Sequence, residues 1–63
     1  MTYADAKILG YHGGYTRMQR GYVSRKNFDV DEAEVQYTKD GRMYVLCPCY
    51  CSTRYCIRLY LVK

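Results

Sequence analysis

The sequence has no tryptophan and only one phenylalanine, one proline and one histidine. Its aromatic content therefore comes almost entirely from nine tyrosines. The single histidine, His12, has no acid or nucleophile next to it, so no pattern for acid–base or nucleophilic catalysis is present. We accordingly expect a non-catalytic protein.

Long apolar runs are also missing. The longest nearly apolar stretch, residues 43–50, is far shorter than the roughly 20 residues that a membrane helix requires. The first residues lack the basic segment and apolar core of a signal peptide. We therefore expect a cytoplasmic protein with no membrane segment. Its length suits one domain, which we place at residues 1–63.

Acidic residues are absent after Asp40, so residues 42–63 carry four cations and a net charge of +4. Residues 1–28 contain five cations and one acid, again +4, whereas residues 29–41 contain five acids and one cation, or −4. Two basic segments thus flank an acidic one. If the basic segments meet in the fold, they form a positive face, and the acidic segment forms a separate negative edge.

The N-terminal third has two interpretations. Thr2 and Asp5 have the spacing of a capping box, which would begin a short helix. Alternatively, residues 7–11 and 15–24 form two strands, joined by a hairpin turn at Gly13-Gly14. We favour the hairpin.

The acidic segment predicts a two-turn helix over residues 30–36. Asp29 is suited to cap it, and Glu32 lies at the third helical position. Phe28 can pack on Ala33 as a hydrophobic staple. Helical spacing would also place Tyr37 on the face of Ala33. These acids are better explained by capping and solvation than by a metal or catalytic site.

A second hairpin is predicted at the C-terminal end. Asp40-Gly41 is a strong turn signal, and residues 43–49 and 55–62 are rich in β-forming side chains. Their short connection requires antiparallel pairing. Alternation places Ile57, Leu59 and Leu61 toward the core, and Arg58 on the other face.

Together these segments predict a small α+β domain with the order β-β-α-β-β. An antiparallel sheet of about four strands would carry one short helix on one face. Such a helix cannot cover the whole sheet, so apolar and tyrosine-rich surface is left as a candidate interface.

Four cysteines lie within ten residues: Cys47, Cys49, Cys51 and Cys56. They could be structural thiols, zinc ligands or a disulfide pair. We favour thiols because the expected compartment is reducing and zinc sites usually take their ligands as pairs from separate elements. No cofactor is therefore predicted, and all four cysteines would be the ligands if zinc were bound. For a disulfide, a loop centred on residues 52–53 would place Cys49 opposite Cys56.

Tyrosine and arginine alternate through residues 10–26, a pattern typical of protein interfaces and of single-stranded nucleic-acid binding. We expect a small binding protein that docks on a larger macromolecular partner as an inhibitor or adaptor. The predicted partner-binding residues are Tyr11, Tyr15, Arg17, Arg20, Tyr22, Arg25, Lys26, Arg54 and Arg58.

This general profile of small size, excess tyrosine and no catalytic groups resembles that of phage inhibitors of host defence machinery. The resemblance is one of class, carried by no specific motif. Two alternatives stay open: a basic nucleic-acid-binding domain, and a small zinc-binding module. Self-association as a homodimer also fits the incomplete cover of the sheet.

Overall fold

The computed structural model describes residues 1–18, 21–48 and 56–63. These residues form one antiparallel four-stranded sheet, in the order β1-β4-β3-β2, with the α-helix on one face. The predicted α+β class is confirmed, although the helix comes first in the chain and not between the hairpins. The elements are α1 (Tyr3–Ile8), β1 (His12–Met18), a 3₁₀ turn (Val30–Glu32), β2 (Gln36–Tyr37), β3 (Met43–Pro48) and β4 (Cys56–Val62).

Helix α1 begins with the capping box that the sequence contains. The Asp5 amide donates to Thr2 Oγ1 at 3.3 Å, and the Thr2 amide donates to Asp5 Oδ2 at 3.2 Å. Ala6 is fully buried against the sheet, and Gly10 continues the chain at a φ of 92°. The predicted strand over residues 7–11 is therefore wrong, because capping, burial of Ala6 and a positive-φ glycine all favour the helix.

Gly13 and Gly14 lie inside β1, so the predicted turn at this pair is also wrong. The strand pairs antiparallel with β4 from His12–Val62 to Met18–Cys56. A Cβ placed on Gly13 would lie 1.7 Å from the carbonyl oxygen of Tyr60, which shows that this glycine permits the close approach of β4. Of the predicted strand over residues 15–24, residues 21–24 are not in a strand, and residues 19–20 lie outside the described residues.

The predicted helix over residues 30–36 is reduced to a single 3₁₀ turn. Asp29 caps it as expected, because its Oδ1 accepts from the Asp31 amide at 3.0 Å. Ala33 is already extended, however, and its carbonyl accepts from the Tyr3 amide at 3.0 Å. Pairing with the first residues of the chain thus replaces helical hydrogen bonds, and Tyr37 becomes an exposed strand residue.

The predicted turn and C-terminal hairpin are confirmed. The Thr38 amide donates to the Arg42 carbonyl at 2.9 Å, and Gly41 has a φ of 87°. Strands β3 and β4 pair antiparallel, with Val45 opposite Leu59. The core lies between α1 and one face of this hairpin, as alternation predicted. Its buried members are Ala6, Val35, Val45, Cys47, Leu59 and Leu61. No helix in the described part of the chain is long and apolar enough to span a membrane.

Candidate binding surface

The sheet has two unlike faces. Alternate residues of β4 point toward α1 and bury Leu59 and Leu61, while Arg58 and Tyr60 lie on the opposite side. Tyr44 is directly opposite Tyr60 in the β3–β4 register. We call Arg42, Tyr44, Arg58 and Tyr60 the tyrosine–arginine face.

Guanidinium groups lie against both tyrosine rings of this face. The Arg58 guanidinium carbon is 4.8 Å from the ring centroid of Tyr44 and 5.4 Å from that of Tyr60. The corresponding carbon of Arg42 lies 4.1 Å from the centroid of Tyr60. These are cation–π distances, and they hold the four side chains together as one cluster.

Hydrogen bonds orient the cluster further. Arg58 Nη1 donates to the Tyr60 hydroxyl at 2.5 Å, and the Tyr44 hydroxyl donates to Gln36 Oε1 at 3.1 Å. The two rings are tilted by 57° with their centroids 6.3 Å apart. Strand register thus brings the residues together, and side-chain hydrogen bonds restrict their rotamers.

Neither arginine of the tyrosine–arginine face is ion-paired within the described residues. The ion pairs found there join Lys7 to Asp31 and the terminal amine to Glu34. Arg58 Nε is buried and has no hydrogen-bond acceptor in the same described residues. The two guanidinium groups therefore lie against ring faces without a carboxylate in direct contact, and the nearby Asp40 interacts with Arg42 only at longer range. Such positive charge suits an acidic ligand, chiefly at Arg58.

The described members of the predicted partner-binding set do not lie on one surface. Tyr15 and Arg17 occupy β1 positions on the helix side of the sheet, whereas Arg58 lies on the opposite face. Tyr11 is half-buried and packs against the core. The other described residues of the set are exposed in the segment that follows β1: Tyr22, Arg25 and Lys26. Arg20 and Arg54 lie outside the described residues.

Sequence reasoning missed Arg42, Tyr44 and Tyr60 as members of a cluster. Alternation along β4 did place Tyr60 beside Arg58, but the register considered for β3, with the loop centred on residues 52–53, pairs Tyr60 with Val45 and is one residue away from the observed one. Had the hairpin been centred on residue 52, Tyr44 would have been expected opposite Tyr60. The available signal was therefore the register of the hairpin and not a local motif.

The same register separates the two described cysteines. Cys47 faces the core with Val45, whereas Cys56 lies on the other side of the sheet and pairs with Pro48. The predicted opposition of Cys49 and Cys56 is wrong by one residue, and a one-residue change of register reverses the face. Cys47 and Cys56 are both free thiols. Cys49 and Cys51 lie outside the described residues.

The described strands do not bring Cys47 and Cys56 to one side of the sheet, as a zinc site using all four cysteines would need. Burial raises the pKa of the Cys47 thiol, with a smaller contribution from Cys56. This shift favours the neutral thiol over the thiolate that binds metals. Residues 1–18, 21–48 and 56–63 contain no group of three or more potential ligands arranged to hold a metal.

A groove of about 520 Å³ opens on the helix side, beyond the part of the sheet that α1 covers. Its lining is mostly apolar, and the one carboxylate, Asp29, accepts the capping hydrogen bond described above. Burial raises the pKa of the Cys47 thiol in its wall. The described residues that line the groove include no histidine or lysine that could act as a base for this thiol. It is lined by Tyr15, Phe28, Asp29, Val30, Cys47, Pro48 and Ile57.

Comparison with known proteins gives no relative: no family model, no curated protein and no solved structure matches this chain.

Proposed function

We propose that this chain is a non-catalytic binding protein that docks on an acidic surface of a larger protein as an inhibitor or adaptor. The observation that carries the proposal is the tyrosine–arginine face, where neither Arg42 nor Arg58 forms an ion pair among the described residues and Asp40 interacts with Arg42 only at longer range. Tyrosine and arginine are the residue types enriched at energetically important interface positions. On the sheet face opposite α1, strands β3 and β4 carry Tyr44, Arg58 and Tyr60, and the strand register fixes their spacing.

The arrangement favours a protein partner over nucleic acid. Single-stranded nucleic acid is bound by stacking bases on free aromatic faces along a basic groove. Here Arg42 already lies 4.1 Å from the ring centroid of Tyr60, so a base would have to displace it. The strand predicted to continue such a groove places Tyr15 and Arg17 on the other side of the sheet. An acidic side chain can instead bind the outer edge of either guanidinium.

A photo-crosslinking experiment tests the proposal. A benzophenone amino acid at Tyr60 should capture the partner in the native host, whereas the same probe at Tyr22 should capture less because Tyr22 is outside the face. The captured protein is then purified and titrated with the chain. Arg58→Met should raise Kd about tenfold or more. The control Lys39→Met makes an equal change of charge in an exposed turn and should change Kd less than about twofold. Equal Kd values for the two variants would contradict the proposal.

Nucleic-acid binding is tested separately by gel shift with single- and double-stranded oligonucleotides at about 50 and 200 mM salt. We expect no complex at either salt concentration. A complex that weakens steeply with salt, and that Arg58→Met also weakens, would replace the protein partner with nucleic acid.

A further inference from the structure

Strand β1 forms an open edge of the sheet. It has seven residues and, within the described part of the chain, a strand neighbour on one side only, β4. All its residues except Met18 are exposed. Natural edge strands are usually protected by proline, charged side chains (especially lysine), a bulge or shortness. Strand β1 contains neither proline nor lysine, and its register with β4 runs without interruption from His12 to Met18. Its one Lys or Arg side chain is Arg17, near the end of the strand.

We propose that β1 pairs antiparallel with β1 of a second copy of this chain, around a two-fold axis at Tyr15. The two four-stranded sheets would then form one continuous sheet of eight strands. This is β-strand addition in which the added strand comes from an identical chain, and a two-fold axis closes the assembly at two copies.

The sequence of β1 is self-complementary about Tyr15. In this register each Arg17 lies opposite Gly13 of the second copy, and each Thr16 lies opposite Gly14. Every larger side chain next to the axis therefore faces a position without one. The two Tyr15 rings meet at the axis on the helix side of the sheet, and aromatic cross-strand pairs are favourable in antiparallel sheets.

The charges of β1 are also compatible with this pairing. The two Arg17 residues lie four positions apart along the strands, or about 14 Å. This separation exceeds the Debye length of about 8 Å at physiological ionic strength, so their repulsion is largely screened. A pairing shifted so that Arg17 faced Arg17 would place like charges directly opposite each other, which destabilises a sheet.

The glycine at position 14 is a second observation that supports the pairing of two β1 strands. The close approach of β4 accounts for Gly13, but a Cβ on Gly14 would have no atom within 4 Å. Gly14 also has no positive φ. Nothing in the described residues of a single copy therefore requires glycine at this position. In the proposed dimer it lies opposite Thr16 of the second copy, where close approach of another backbone is a usual reason for glycine in a strand.

The dimer has a consequence for binding, and this consequence alone rests on the proposed function. An axis perpendicular to the sheet leaves both tyrosine–arginine faces on the same side. Three strand spacings separate the two β4 strands, or about 14 Å. A partner with two acidic sites at this spacing would be bound bivalently, with greater avidity than one face provides.

Sedimentation velocity over a wide range of protein concentration tests the dimer directly. We expect wild type to sediment as a dimer, and Tyr15→Lys, which puts two ammonium groups at the axis, to raise the dimer dissociation constant about tenfold or more. Tyr15 is 63% exposed, so this variant should keep the fold, as circular dichroism would show. Tyr22→Lys, at a residue 71% exposed and outside the strands, is the matched control and should dimerise as wild type does. A monomer at all concentrations, or equal dimerisation of both variants, would overturn the proposal.

Oxidative tyrosine cross-linking tests the register. The covalent dimer should yield a peptide that joins Tyr15 to Tyr15, and Tyr15→Phe should abolish that product without dissociating the dimer. Should Tyr15→Lys be unstable, Thr16→Lys at the neighbouring exposed position replaces it. A dimer joined only through other tyrosines would contradict the register. Because sedimentation needs no partner, failure of the dimer and failure of the acidic-partner proposal give separate results.

Discussion

The two faces of β4 show how one strand can serve the fold and the surface at once. On the helix side, Leu59 is only 2% exposed and is stabilised by burial of apolar area. On the other side, the neighbouring Tyr60 is half-buried, and Arg42 and Arg58 lie against its ring. The difference teaches that burial in the core and the proposed binding are divided between alternate residues of the same strand. Adjacent substitutions should therefore separate them.

The most sensitive test of this comparison is a pair of neighbouring substitutions. Leu59→Ala should lower the free energy of unfolding by about 2–5 kcal/mol, because it removes a fully buried side chain and leaves a cavity. Since a domain of this size has a total stability of about 3–5 kcal/mol, much of this variant should be unfolded. Tyr60→Ala should cost only about 1–2 kcal/mol, chiefly through lost contacts with the two guanidinium groups. Urea denaturation measures both.

Equal destabilisation by Leu59→Ala and Tyr60→Ala would contradict the expectation that the two faces of β4 contribute differently to stability. Such a result would mean that the tyrosine–arginine face is packed as tightly as the core. Tyr37→Ala provides a control for loss of an exposed aromatic ring on β2, and it should change the free energy of unfolding by less than about 0.5 kcal/mol.

A second pair of substitutions compares the two glycines of β1. Gly13→Ala would place its Cβ against the Tyr60 carbonyl, so β1 and β4 would have to separate, at a cost of about 1–3 kcal/mol. A Cβ at Gly14 meets open space, and the residue has no positive φ. Gly14→Ala should therefore raise the free energy of unfolding by about 0.4–1 kcal/mol, because alanine restricts the unfolded chain more than glycine does. Because Gly14 faces Thr16 of the second copy in the proposed dimer, this comparison is made on the monomer. Thermal unfolding at a protein concentration below the dimer dissociation constant should rank Gly14→Ala above wild type and wild type above Gly13→Ala. The opposite order would disprove the β1–β4 register.

The fold class could be predicted from the sequence because the C-terminal half contains strong local signals. The Asp40-Gly41 turn and the alternation around Leu59 each specify a hairpin element without reference to distant residues. The N-terminal half could not be predicted in the same way. Gly13 is required by the carbonyl of Tyr60, which lies 47 positions away in the sequence and was not evident from the local pattern.

The binding surface was harder to predict for a related reason. The interleaved tyrosines and arginines predicted a binding segment around Tyr15 and Arg17. Strand alternation, however, places these two side chains on the opposite side of the sheet from Arg58. The tyrosine–arginine face is assembled from two strands, and its members become neighbours only when the hairpin register is known. Among the described members of the predicted binding set, Arg58 alone lies in this cluster.

A smaller effect on the free energy of unfolding is expected from Asp40, in the turn that leads into β3. The hydroxyl of Thr38 donates to Asp40 and holds the pKa of that carboxyl below its usual range. A carboxyl with a lowered folded-state pKa adds stability above its unfolded pKa, and this contribution is lost as pH falls through the folded pKa. Asp40→Asn should therefore be less stable than wild type near neutral pH and equal to it in strong acid. Urea midpoints at several pH values measure the difference, and a constant gap would show that the charge is not involved.

The smallest effect on stability is expected from treatment with a metal chelator. Cys47 and Cys56 are buried on opposite faces of the sheet, and burial raises the pKa of Cys47 against the thiolate form that zinc requires. We therefore expect the thiols to act as small apolar side chains on both sides of the hairpin. Protein purified without added zinc should contain no stoichiometric metal, and a chelator should leave its urea midpoint unchanged. A chelator-dependent loss of stability would instead require the cysteines to converge at the end of the hairpin, and the two faces would then be linked by a metal.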